Sequence, residues 1–238
     1  MDSLDLIVLD TWRAFLPFIG NDCIITPSIP VLWFGDYDAY ADSQRKIVTV
    51  SINPSYREFV AENGNVSVAL RFPKAAHLEG KQCLSSSDIY DYRTALNAYF
   101  SVNPYMFFFN RWAKVLAPFN ASYYTGYKLN TAIHLDLFAP LATSKTWNNT
   151  SIADREKLES GFELIISHLL EALEPDVIFS SRFEIFDRMG IPSSLFSPGL
   201  HIGSGNKGQT VLYGESNRRI LLGQVTIQDI QKLVDKLN

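Results

Sequence analysis

Two kinds of apolar pattern run along this chain. Short runs rich in β-branched residues stop at proline or glycine, and longer stretches repeat apolar positions every three or four residues. The first pattern suits strands buried on both faces, and the second suits amphipathic helices. Residues 4–18 predict a helix that ends before Gly20-Asn21. Residues 22–40 predict an irregular entry to the first strand. That strand is Ile47-Val48-Thr49-Val50, and it is cut off at Asn53-Pro54, because proline has no N–H for a ladder and disfavours helix in the residue before it. A long connection, residues 56–87, follows. Helical spacing resumes over 88–100 and over 104–116, where Pro104 fits a first helical position. The aromatic run 105–109 with Trp112 is most simply core.

The second strand spans 131–138 and closes at Ala139-Pro140. A helix over 152–173 ends before Pro175, and a third strand occupies 176–181. A short helix to about Met189 and a loop-like stretch over 191–208 come next. Strands at 210–213 and 219–222 and a last helix over 227–237 complete the chain. Strands alternating with helices predict an α/β fold. The expectation is a single domain over 1–238, a three-layer αβα sandwich around a central, mostly parallel sheet of about four strands. Ile47, Ile133, Val177 and Ile220 should lie on neighbouring strands.

Composition sharpens this picture. The 238 residues are 47% hydrophobic and 13% aromatic, enough for a large core. There is no run of about 18 apolar residues, so no membrane span is expected. The acidic start of the chain lacks a signal-peptide pattern. Cys23 and Cys83 have neither metal-ligand nor redox spacing. A cytoplasmic monomer without metal or cofactor is the expectation. The net charge of −4 counts against a nucleic-acid partner. Local basic residues, Arg57, Arg71, Lys74 and Arg218 among them, partly offset it.

Asn53 stands where the first strand ends. In open α/β sheets ligands bind at the carboxyl ends of strands. An uncharged amide there can orient a water or a substrate edge, or it can simply cap the turn. The span Ser51-Ile-Asn-Pro-Ser-Tyr-Arg-Glu-Phe59 resembles the first active-site motif of the uracil-DNA glycosylase superfamily. In the mismatch-specific and single-strand-selective branches that motif reads Gly-x-Asn-Pro-Gly. Ser51 and Ser55 replace its two glycines. Ile133 to Thr143 is similar to the superfamily's second core strand, which ends near a proline.

The resemblance implies a DNA glycosylase that needs no cofactor. Asn53 would hold the attacking water, with Ile52 and Ser55 beside the base. His134, six residues before Pro140, would read the base edge, with Asp136 orienting it; the alternative is a histidine bonded inside the fold. Phe72 would stack on the extruded base or belong to the core. The second motif, usually His-Pro-Ser-Pro, has no counterpart here, and Gln224 or His201 would take its place. Arg57, Arg71, Lys74 and Arg218 would contact DNA. Many relatives carry a tyrosine at the position of Ser55 that excludes bulky pyrimidines. A serine admits a modified cytosine, such as the glucosylated hydroxymethylcytosine of phage DNA, as well as uracil. Asn63, Asn65, His77, Ser204 and Asn206 could bond a polar adduct. Two rivals stand beside this: a catalytically silent binding module of the same fold, and a small-metabolite nucleoside hydrolase.

Overall fold

The computed structural model describes residues 2–180, 185, 200–204, 210–214 and 227–235. The chain divides into two compact units. A sheet unit comprises Gly35–Ser51, Tyr105–Leu135 and Glu174–Asn238. A helical unit comprises Met1–Phe34, Ile52–Pro104 and Asp136–Leu173.

The sheet has six strands: β1 (Ile47–Ser51), β2 (Ala121–Ser122), β3 (Asn130–Asp136), β4 (Val177–Ser180), β5 (Leu200–Ser204) and β6 (Thr210–Gly214). Their order is β2-β3-β1-β4-β6-β5. β2 runs parallel to β3, and β4 runs parallel to both β1 and β6. β5 is antiparallel to β6. The fold class is therefore α/β with a mostly parallel central sheet. Ile47, Ile133 and Val177 lie on adjacent strands, as expected. All seven residues of β3 are buried, and so are the first four of β1. Side chains of either parity are covered, which explains the unbroken apolar runs in place of an alternating pattern.

The amino ends of the central strands are tied together. Lys46 N donates to Asp176 Oδ2 at 2.7 Å, and Asp176 N donates to Lys46 O at 2.9 Å, fixing β1 against β4. Arg45 N donates to Asn130 Oδ1 at 3.0 Å, and Thr131 N donates to Ser43 Oγ at 2.8 Å, fixing the same end of β1 against β3. With one end pinned, the opposite ends of β1 and β3 stay in register.

Among the described residues, three helices belong to this unit, α2 (Tyr37–Ala41), α5 (Met106–Leu116) and α7 (Ile227–Asp235). The helical unit holds α1 (Ser3–Phe15), α3 (Ser86–Asn97), α4 (Tyr99–Val102) and α6 (Ile152–Leu173). Asp2 caps α1, its Oδ1 accepting from Asp5 N at 2.7 Å. Ser85 and Asp88 form a reciprocal capping box at the start of α3. α1 packs on α6, and the adjoining Phe18 and Phe162 rings stack at 5.9 Å.

Several boundaries differ from expectation for local reasons. The helix expected over 4–18 becomes a 3-10 turn at Leu16–Phe18, where Pro17 removes a donor. The helix expected over 88–100 is split into α3 and α4 at Ala98. Pro104 does not open a helix; α5 starts at Met106 with Tyr105 as its cap. The irregular entry contains α2, capped by Asp36. In the aromatic run, Phe109 and Trp112 are core, but Met106 and Phe107 are exposed. The loop expected over 191–208 contains β5, which owes its extended form to pairing with β6. β6 is the strand beside β4 where Ile220 was expected; Ile220 lies outside the described residues, as does the short helix apart from Ile185. Among the described residues no helix is long and apolar enough to cross a membrane.

Candidate functional site

Asn53 follows β1 by two residues, at the strand's carboxyl end. The turn is held by backbone: Phe138 N donates to Ile52 O at 2.9 Å. Ile52 itself is buried. The Asn53 amide nitrogen donates to Pro54 O at 3.1 Å, Leu141 O at 3.2 Å and Thr143 Oγ1 at 3.2 Å. The two carbonyls can only accept, and Thr143 already donates its hydroxyl proton to Lys145 O at 2.6 Å. All three neighbours therefore demand the NH₂ group. This fixes the amide orientation by chemistry and turns Oδ1 away from them. The side chain is only part-buried. The result is a positioned, uncharged acceptor, able to take a proton-side contact from water or from an N–H or O–H of a ligand.

Ser55 is partly exposed next to it, and its Oγ accepts from Arg57 N at 3.2 Å, capping the 3-10 turn Tyr56–Glu58. The Arg57 guanidinium lies 4.8 Å from the centre of the Tyr56 ring. Glu58 then points into the core, 2% exposed. Its Oε2 accepts from Tyr99 Oη at 2.7 Å and lies 3.2 Å from Arg71 Nε. Arg71 also donates to Arg57 O at 3.1 Å and to Asn103 O. Burial pushes the Glu58 carboxyl up to about 8, against the pull of Tyr99 and Arg71; the buried carboxylate of Asp136 adds to the rise.

Two expected roles are corrected here. Arg71 was expected to contact DNA, but it is buried with its Nε 3.2 Å from Glu58 Oε2, bracing the chain between residues 57 and 103. Phe72 was expected to stack on an extruded base. Its ring is fully buried, 5.6 Å from Tyr99 and 5.7 Å from Phe59, so no base face can reach it. Phe72 is core because rings distant in sequence close over it. Lys74 is exposed and remains available for an anionic partner.

His134 belongs to the sheet unit. It lies within β3, 1% exposed. Its Nδ1 is 2.7 Å from Thr49 Oγ1, which is 2.5 Å from Tyr123 Oη. The rings of Phe108, Phe109 and Trp112 surround the imidazole at 5.1, 5.4 and 6.0 Å. The structure thus places His134 in the interior alternative, a hydrogen-bonded link across β1 and β3. Burial raises the Tyr123 hydroxyl well above its ordinary value, so it stays neutral. Asp136 closes the same strand and is buried in the helical unit.

The second-motif candidates have different standings. His201 lies on β5, paired with Tyr213, and is not in a loop. Gln224, Arg218 and Asn206 lie outside the described residues. Of the groups expected to bond a polar adduct, Asn63 Oδ1 accepts from Asn65 N at 3.0 Å in a local turn. His77 Nε2 lies 3.3 Å from Asp88 and 3.5 Å from Asp91 at the start of α3. Among the described residues no group of three or more His, Cys, Asp or Glu side chains is arranged to hold a metal.

Sequence reasoning missed Leu141, Thr143, Glu58 and Tyr99. Thr143 alone carried a signal, since it lies just past the proline that ends the second strand. No family model matches the chain, and no relative is found among curated proteins.

Proposed function

We propose that the protein is a monofunctional DNA glycosylase acting on a pyrimidine extruded from the stack, either uracil or a cytosine with a bulky 5-substituent. The supporting observation is Asn53. Its amide is held by three acceptors at the carboxyl end of β1, and its Oδ1 is turned away from all three. Base departure leaves an oxocarbenium-like sugar, so the reaction needs a placed water more than a strong base. Asn53 Oδ1 accepts one hydrogen of that water and aims its oxygen lone pair at the anomeric carbon. The carbon–oxygen bond forms as the glycosidic bond breaks, and the leaving base takes the electron pair and a proton. Extrusion carries the base into reach.

Ser55 supports the wider substrate choice, because a small side chain next to Asn53 leaves room for a 5-substituent. Arg57 and Lys74 would meet the phosphates on this side. The test is an abasic-site assay on DNA containing uracil, mismatches, hydroxymethylcytosine or glucosylated hydroxymethylcytosine. Strand breakage after mild alkali on at least one of these is expected. Hydrolysis of free nucleosides without any effect on DNA would instead assign a small-metabolite hydrolase. Binding of DNA without abasic product would assign a silent module.

A further inference from the structure

The sheet unit carries an exposed group of rings that the proposed chemistry does not use. Phe107 is 67% exposed and Tyr127 72%, and Met106, Tyr124 and Leu129 are also exposed. Two hydrogen bonds tie members of this group together. Tyr124 Oη donates to Met106 Sδ at 3.0 Å, which joins the start of α5 to the loop between β2 and β3. Tyr127 N donates to Tyr124 O at 3.2 Å, which places both tyrosines on one turn. Each outer ring has a cation over it. The Arg111 guanidinium is 4.2 Å from the Phe107 centroid, and Lys128 Nζ is 5.4 Å from that of Tyr127.

Charge along this stretch of the sequence is segregated. Residues 92–135 contain no aspartate or glutamate, although the whole chain is acidic, and they include Arg111, Lys114 and Lys128. Asp36 brings a carboxylate to the turn. Its Oδ2 accepts from Thr125 Oγ1 at 3.0 Å and its Oδ1 accepts from Ala39 N at 3.1 Å, so both oxygens hold the scaffold.

We infer that Phe107, Arg111, Tyr124, Tyr127 and Lys128 form a docking surface for single-stranded DNA. Unpaired bases expose faces that stack on rings, and the phosphates between them need cations interleaved with those rings. This surface supplies both. A second copy of the chain would instead set the like charges of Arg111 and Lys128 against one another. The choice of DNA over RNA rests on the glycosylase reading; the surface itself does not.

The test is fluorescence anisotropy of the full chain with labelled oligo-dT, oligo-U and a blunt duplex of equal length. Oligo-dT should bind more tightly than the duplex. Arg111 and Lys128 predict a slope of about −1.4 for log affinity against log salt. Phe107→Ala and Tyr127→Ala should each weaken oligo-dT binding by at least about fivefold. Because both side chains are exposed, the thermal midpoint should not move. Tyr90→Ala, exposed in the helical unit, should leave affinity unchanged. Equal or tighter duplex binding, tighter oligo-U binding, or wild-type affinity in both ring variants would overturn the assignment. So would a dimer in sedimentation that Phe107→Ala dissolves, since the face would then be a protein interface. An abasic-site assay on the same preparations separates the two proposals. Abasic product with indifferent ring variants sinks only the docking surface; strand binding lost in the ring variants, without abasic product from wild type, sinks only the glycosylase.

Discussion

Asn53 and Thr143, ninety positions apart, meet at 3.2 Å, with the amide donating and the hydroxyl accepting. Because Thr143 gives its own proton to Lys145 O, the direction of this bond is set, and with it the direction in which Asn53 Oδ1 points. Removing either partner should therefore affect the same step. Asn53→Ala is expected to lower the single-turnover rate of base release by about a hundredfold or more, as loss of a group acting in the transition state does. Thr143→Val should lower it less, because Leu141 O and Pro54 O still hold the amide. DNA affinity should stay near wild type in both. A wild-type rate in Asn53→Ala would leave Asn53 as a turn residue.

On the glycosylase reading, Ser55 sets the size of the substrate. Ser55→Tyr should abolish release of a glucosylated cytosine while sparing uracil, since the ring would fill the room beside Asn53. Competition between two labelled DNAs in one reaction measures this directly. If the variant keeps the bulky substrate, the space for a 5-substituent lies elsewhere.

Phe72 separates a stacking role from a packing role. Its ring is enclosed by Phe59 and Tyr99, so Phe72→Ala should cost about 3–5 kcal/mol of stability. The urea midpoint reports this. A variant of unchanged stability that released base poorly would return Phe72 to the substrate.

Glu58 gives the fold a pH dependence. Its folded value of about 8 lies above the ordinary 4.5, so the native state holds this proton more tightly than the unfolded chain does. Below the ordinary value both states are protonated and the group is neutral in effect. As pH rises toward 8 the unfolded chain gains by ionising, and stability falls, by at most about 1.4 kcal/mol per pH unit. Chemical denaturation between pH 5 and 8 should show this decline. Glu58→Gln should flatten it, keeping an acceptor for Tyr99 without a titrating carboxyl. A parallel decline in Glu58→Gln would place the titration on another group.

Much of the scaffold was legible because its signals are local. The β-branched run Ile47 to Val50 and the long period of α6 identify themselves. So does the end of β1, since Pro54 cannot continue the ladder. What stayed hidden depends on distant partners. Phe72 carries no mark of burial in its own neighbourhood; rings at 59 and 99 enclose it. Arg71 looks like a surface cation until Glu58 is seen beside it. β5 contains Gly203 and Ser204, weak strand formers, and only its pairing with β6 makes it extended. Asn53 was visible as a turn residue at a strand end, but the residues that aim it lie beyond the next strand.

The far side of the sheet ends in β2, which is two residues long. An edge strand normally offers a row of unpaired backbone groups to any extended segment that comes by. Here that row is too short to template a neighbour, and Asn120, in a left-handed conformation, bends the chain just before it. A concentrated solution of the protein should therefore resist strand-to-strand growth from this edge.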